Sequence, residues 1–389
     1  MKTSVSNPFR FGALALDDAF ADRERETAEL AADMRNGQDV VVFAPRRYGK
    51  SSLVWAATRA VVAEKTLVAT IDLMTTPTKE RLAAALASAV YQQIASPLER
   101  VRERALAPFR GLRVEPVVTV DPETGELSFS FSIARGEGDI DVTIERLLEL
   151  PAELGAGRGR RTVLVIDEFQ EIVEIDPNLP KLLRAAFQRQ PEVSHVYLGS
   201  RRHVMQRIFN DANEPFWRSA KPIELGPIDP GPFAAFISER FAGSEREVAE
   251  ETVARLIELT GGHPYATQEL SYFLWEETGP GELASVEHLD LALTAVLRSE
   301  NAHFSLLWEG ASGVQKLLLQ ALAREPGRPY TNAYRNRHQL PPTATLQTAL
   351  RALERREAIG RSAAGYRIAE PFFAAWLGRQ EHQFGGVDA

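Results

Sequence analysis

The first half of the chain alternates short, almost wholly apolar runs with segments of helical period. "DVVVFA" (Asp39–Ala44), "TLVATIDL" (Thr66–Leu73), "TVLVIDEF" (Thr162–Phe169) and "HVYLGS" (His195–Ser200) read as strands, and a helix is predicted over Ser51–Ala63. Strands that are apolar throughout are buried on both faces, and strands separated by helices form a parallel sheet. The expected fold is therefore α/β, a parallel sheet with helices on both faces. The stretch 113–133 switches to period two around Glu-Thr-Gly and predicts a hairpin insertion at about 112–133. "GPIDPGP" (Gly226–Pro232) breaks the pattern, and beyond it the segments at 233–242 and 250–262 read as short amphipathic helices. From about Leu307 three helices are followed by "GRSAAGYRIAEPFF", two short strands around Ala-Ala-Gly, which is the winged-helix pattern. The predicted layout is an α/β domain over 1–225, a small helical lid over 226–306, a winged helix over 307–380 and a tail over 381–389.

Composition narrows the function classes. A chain of 389 residues suits two or three domains. It has no cysteine, which excludes disulfides, thiolate metal sites and a cysteine nucleophile. The N-terminus has no apolar signal core, and no run is long enough to span a membrane, so a cytoplasmic location without membrane contact is expected. The net charge is -8, but after Leu307 basic residues outnumber acidic ones. That segment is a candidate anion-binding surface.

The chemistry starts at "APRRYGKS", Ala44–Ser51. Gly-Lys-Ser between a buried strand and a helix matches the end of a phosphate-binding loop. Backbone N–H groups of such a turn and of the helix N-terminus cradle phosphate oxygens. Ala44, Pro45, Arg46, Arg47, Tyr48, Gly49, Lys50, Ser51 and Ser52 are thus candidate nucleotide contacts. Lys50 would reach the β and γ phosphates, and the Ser51 hydroxyl would ligate Mg²⁺. Ala44 replaces the usual first glycine, which is tolerable unless the site needs φ > 0. An alternative for Arg46 and Arg47 is pairing with carboxylates.

"VLVIDEF" supplies the complement. Asp167 ends a buried strand, where an unpaired carboxylate is costly and a metal or metal-bound water would satisfy it. Glu168 beside it can orient or deprotonate an attacking water.

With these motifs in order, the chain resembles the archaeal-type P-loop ATPases of the AAA/STAND group, relatives of the replication-initiator ATPases. The N-terminal Asn-Pro-Phe and the following Phe20, Arg23 and Glu24 resemble that family's adenine-pocket entry. "YLGSRRHVM" falls where the family has its sensor 1 strand, which implies Ser200 and Arg201 near the γ-phosphate. "LTGGHPYATQEL" resembles the family's Gly-Gly-His-Pro signature, which implies His263 and Pro264 facing the nucleotide. The resemblance implies ATP and Mg²⁺ as cofactors, slow ATP hydrolysis with Glu168, Lys50 and Arg201 as catalytic groups, and Ser51 and Asp167 as metal ligands. Nucleotide would then lie between the sheet edge and the lid, the two glycines letting the backbone approach the phosphates.

The third C-terminal helix carries Thr343, Thr345, Gln347, Arg351 and Arg355, and the wing carries Arg361 and Arg367. In a winged helix these would meet a major groove and flanking phosphates. Three roles follow: an ATP-dependent switch, an ATP-dependent duplex-DNA binder, or an ATP-gated scaffold that forms a homo-oligomer or recruits a protein effector.

Overall fold

The computed structural model describes residues 6–12, 20–94, 106–120, 127–134, 139–362 and 365–384. The Glu-Thr-Gly turn of the expected hairpin, Ala363 and Ala364 of the wing turn and the last five residues lie outside them. The chain divides into two compact units. One comprises Arg23–Arg46 and Lys50–Leu225; the other comprises Met1–Asp22, Arg47–Gly49 and Gly226–Ala389.

The first unit follows the order α1 (Glu24–Asn36), β1 (Val40–Phe43), α2 (Lys50–Ala63), β2 (Leu67–Asp72), α3 (Lys79–Ala89), β3 (Val114–Val120), β4 (Leu127–Ile133), α4 (Ile140–Ala156), β5 (Thr162–Asp167), α5 (Leu179–Phe187), β6 (Val193–Gly199), α6 (Arg202–Asn210) and β7 (Lys221–Glu224). The sheet order is β2-β5-β6-β1-β7, with every neighbouring pair parallel. β1 and β6 are buried at every position, as strands covered on both faces must be. β7 was not anticipated. It is a four-residue edge strand containing Pro222 in which only Ile223 is buried, so it carries neither an apolar run nor an alternation. β3 and β4 form the antiparallel hairpin, paired from Val114↔Ile133 to Val120↔Leu127. The core gathers Phe169, Tyr197, Phe209 and Phe216 beneath the sheet's central strands.

The second unit contains α7 (Pro230–Ala242), α8 (Glu250–Thr260), α9 (Pro264–Glu277), α10 (Val286–Ser299), α11 (Asn301–Glu309), α12 (Gly313–Arg324), α13 (Asn332–Arg337), α14 (Thr343–Arg355), β8 (Ile359–Ser362), β9 (Gly365–Ile368) and α15 (Pro371–Phe384). One core runs through it, from Phe233 and Ile237 on α7 to Phe372, Phe373 and Trp376 on α15. Phe9 of the Asn-Pro-Phe segment is part of that core. β8 and β9 pair antiparallel after three helices, which is the winged-helix arrangement. Among the described residues no helix is long and apolar enough to cross a membrane.

Candidate nucleotide site

β1 stops at Phe43 and α2 starts at Lys50, so residues 44–49 form the turn. Gly49 has φ +83, a left-handed backbone that glycine adopts freely. Arg47 has φ +64, a conformation disfavoured for a side chain with Cβ and held only where the surroundings fix it. Ala44 is buried and is not among the positive-φ residues, so alanine costs no strain there. Ser52 is buried, Pro45 half-buried and Arg46 exposed.

Lys50 is 8% exposed. Its ammonium donates to the carbonyls of Ala44 at 3.2 Å and Pro45 at 3.3 Å, which directs the charge into the turn. Ser51 Oγ lies 3.5 Å from Asp167 Oδ2. Asp167 Oδ1 accepts the Glu168 N–H at 2.8 Å, leaving Oδ2 toward the hydroxyl. Burial pushes the Asp167 carboxyl up, aided by the charges of Glu168 and Asp72 and opposed by the Glu168 amide and Lys50. Asp72 ends β2 directly opposite Asp167 in the sheet register.

β6 lies between β1 and β5, and this brings its C-terminal Ser200 between the two motifs. Ser200 Oγ donates to Glu168 Oε2 at 2.8 Å, and the Gln170 side-chain amide donates to the same oxygen. Glu168 itself has φ +50. A Cβ on Gly199 would sit 2.6 Å from Gln170 Oε1 and 2.5 Å from Met205, so glycine makes room for the amide that holds Glu168. Gln170 and Gly199 were not singled out in the sequence, and neither has a local signature beyond its place near Glu168 and Ser200.

Other residues are placed differently from expectation. Arg201 pairs with Glu171, and Arg202 with Glu224. The structure thus brings Ser200 to Glu168 and ties Arg201 elsewhere. Arg23 is 4% exposed, has φ +76 and pairs with Glu26 at 3.3 Å; Phe20 is half-buried and Glu24 exposed.

In the second unit, His263 caps α9, its Nδ1 accepting the Ala266 N–H at 3.3 Å. The proton of the neutral ring is then on Nε2. Burial, with Arg367 and Arg47 nearby, lowers its pKa to about 4. The Tyr48 ring meets His263 edge-on at 4.5 Å between centroids, and Pro264 fills the first helical position. Packing accounts for the second glycine of the pair. Gly262 has φ +70, its carbonyl accepts the Ile228 N–H at 2.9 Å, and a Cβ there would lie 2.4 Å from the Ile228 oxygen.

On the winged helix, Thr345, Gln347, Arg351 and Arg355 are exposed along α14, while Thr343 accepts from Arg335 at 2.8 Å. Arg361 is paired with Glu354 at 3.0 Å and is 73% exposed. Arg367 does not face outward with the wing: it donates to Tyr48 Oη at 3.4 Å.

The oxygen donors at the sheet edge fit Mg²⁺, a hard cation that takes carboxylate, hydroxyl and phosphate oxygens. Among the described residues no group of three or more His, Asp and Glu side chains has metal-binding geometry. An Mg²⁺ held here would therefore rest on Ser51, Asp167 and the phosphates themselves.

A family model described as "Probable winged helix domain" matches residues 302–379. No curated protein matches the sequence. Among solved structures the chain is similar to the Walker-type ATPase of Pyrococcus abyssi, with 19% identity, 94% of this chain and 97% of that one covered, and a TM-score of 0.65. It is also similar to the Aeropyrum pernix ORC2 protein, solved as ADPNP–ADP complexes, with 13% identity, coverage of 96% and 99%, and a TM-score of 0.54. The fold is that of a P-loop ATPase closed by a C-terminal winged helix, and the expected resemblance to archaeal ATPases holds at that level.

Proposed function

We propose that this chain, built on a P-loop ATPase fold that ends in a winged helix, binds ATP with Mg²⁺, hydrolyses it slowly and acts as a nucleotide-dependent switch. The observation that carries the reading is the sheet-edge arrangement: Lys50 and Ser51 open α2 behind a glycine turn, with Ser51 beside Asp167 and Glu168 clamped by Ser200. Lys50 would exchange its two carbonyl acceptors for phosphate oxygens. Bound Mg²⁺ would supply charge neutralisation at the phosphates. Glu168, oriented by Ser200 and Gln170, would hold the attacking water and take its proton. Arg201 would join the γ-phosphate only by leaving Glu171.

The test is Lys50→Ala. Removing the main cation from a buried phosphate cluster should abolish tight ATP binding measured by calorimetry in the presence of Mg²⁺. Binding as tight as in the unmodified protein would overturn the assignment.

A second reading, duplex-DNA binding, is favoured by one feature: Gln347, Arg351 and Arg355 project from α14, the helix that a winged helix lays in a major groove. Arg351→Glu with Arg355→Glu should weaken duplex binding and flatten its salt dependence. Absence of salt-dependent duplex binding by the unmodified protein would remove this reading and leave the switch.

A further inference from the structure

The guanidinium of Arg47 sits 4.2 Å over the Tyr265 ring and 3.7 Å from the Glu370 carboxylate. Tyr265 is one turn before Glu269 on α9, so the two share a face. Glu269 is 1% exposed, and neither of its carboxyl oxygens has a hydrogen-bond partner. Glu300, just after α10, and Glu370, just before α15, both act electrostatically on Glu269, and Arg47 is the cation that opposes them. Three carboxyls and one guanidinium are thus gathered where α9, α10 and α15 meet.

We propose that Glu269, Glu300 and Glu370 form an acidic cradle for Arg47, and that a bound nucleotide's phosphate draws the guanidinium out of it. This rests on the nucleotide reading of the phosphate loop and adds a competitor built into the chain. The hold is of a kind that can be exchanged. The Arg47–Glu370 separation exceeds that of a close bidentate pair, and the guanidinium side chain is 42% exposed. A phosphate, carrying more charge and accepting two parallel N–H bonds, is the stronger partner for a guanidinium.

The exchange has a protonic signature. In the cradle, burial pushes Glu269 up to about 8, with Glu300 and Glu370 adding and Arg47 opposing. Glu370 is likewise raised by burial and lowered by Arg47. Tyr265, raised to about 12, and His263, at about 4, do not change charge near pH 8. When Arg47 leaves, Glu269 loses that opposing charge and binds a proton more tightly. Nucleotide binding near pH 8 therefore takes up protons, and affinity increases as pH falls from 9 to 7, by at most about tenfold per pH unit.

The experiment is calorimetric titration of Mg·ADP into the full chain at pH 8, in two buffers of different ionisation enthalpy. The expected result is net proton uptake by the unmodified protein, lost in Glu269→Gln and in Arg47→Ala; the latter changes a partly exposed side chain and serves should the buried substitution impair folding. Glu370→Gln should bind Mg·ADP tighter, by up to about fivefold, the scale of a half-exposed ion pair. Binding without proton uptake by the unmodified protein, uptake that persists in both variants, or unchanged affinity in Glu370→Gln overturns the cradle while the nucleotide reading stands. No Mg·ADP binding by the unmodified protein overturns both.

Discussion

At the scale of single residues, the geometry assigns Glu168 more than adjacency to Asp167 implies. Its left-handed backbone is a strained conformation for glutamate, of the kind kept where surrounding contacts fix it. Two hydrogen bonds aim its carboxylate, one from Ser200 Oγ and one from Gln170. Glu168→Gln should keep ATP binding and slow single-turnover hydrolysis by about 10²–10⁴-fold, the range of a positioned general base. Ser200→Ala should slow it less, because the Gln170 amide still holds the carboxylate; equal losses in both variants would show that Ser200 acts directly on the reacting phosphate. The nearness of Ser51 to Asp167 was legible because each follows an apolar strand expected in one parallel sheet. The Ser200–Glu168 bond was not, because it depends on β6 lying between β1 and β5, an order that no local pattern encodes. For Arg47 the sequence left pairing with carboxylates open as an alternative, and the structure displays it with Glu370.

At the scale of elements, apolar runs located four of the five strands of the parallel sheet, and the edge strand β7 escaped because one buried side chain makes no pattern. The start of α9 is where local sequence and tertiary packing meet most closely. His263 caps the helix through Nδ1, Pro264 occupies the first turn, and Gly262 permits the close approach of Ile228. The low histidine pKa has a defined consequence. Held at about 4 when folded, the ring stays neutral while the unfolded chain takes up a proton below about 6.5. The unfolded state then binds more protons, so this group's contribution to stability falls as pH drops from 6.5 toward 4. The slope is at most about 1.4 kcal/mol per pH unit. His263→Asn keeps an acceptor at the cap and removes the titration. Urea midpoints of the variant should fall less than those of the unmodified protein between pH 6.5 and 4.5. Parallel pH profiles would mean that the imidazole is protonated in the folded state.

At the scale of the whole molecule, the winged-helix pattern after Leu307 was legible in the order of helices and strands, and the family match at 302–379 agrees with that position. The buried acid on α9 was not. In sequence, Glu269 looks like an ordinary polar residue of an amphipathic helix, and its burial arises from tertiary packing that no local pattern encodes. Such a carboxyl acts on the stability of the unit that contains it, independently of any ligand. Its folded-state pKa of about 8 lies above the ordinary carboxyl value of about 4.5. Between these values the folded chain retains a proton that the unfolded chain has released. Stability from this group is therefore complete below pH 4.5 and is lost as pH rises toward 8. The loss is bounded by roughly 5 kcal/mol from the linkage relation. His263 titrates with the opposite slope, but its window ends near pH 6.5, so it does not contribute between pH 7 and 8. Glu269→Gln carries no titrating proton and should be more stable than the unmodified protein at pH 8 and nearly equal to it at pH 5. Urea midpoints followed by tryptophan fluorescence would read this difference, with Trp275 on the same helix as one reporter. A difference independent of pH would mean that Glu269 is ionised in the folded protein at neutral pH. Its charge would then have to be balanced by Arg47, and the acidic cradle would hold that arginine far more tightly than its exposure implies.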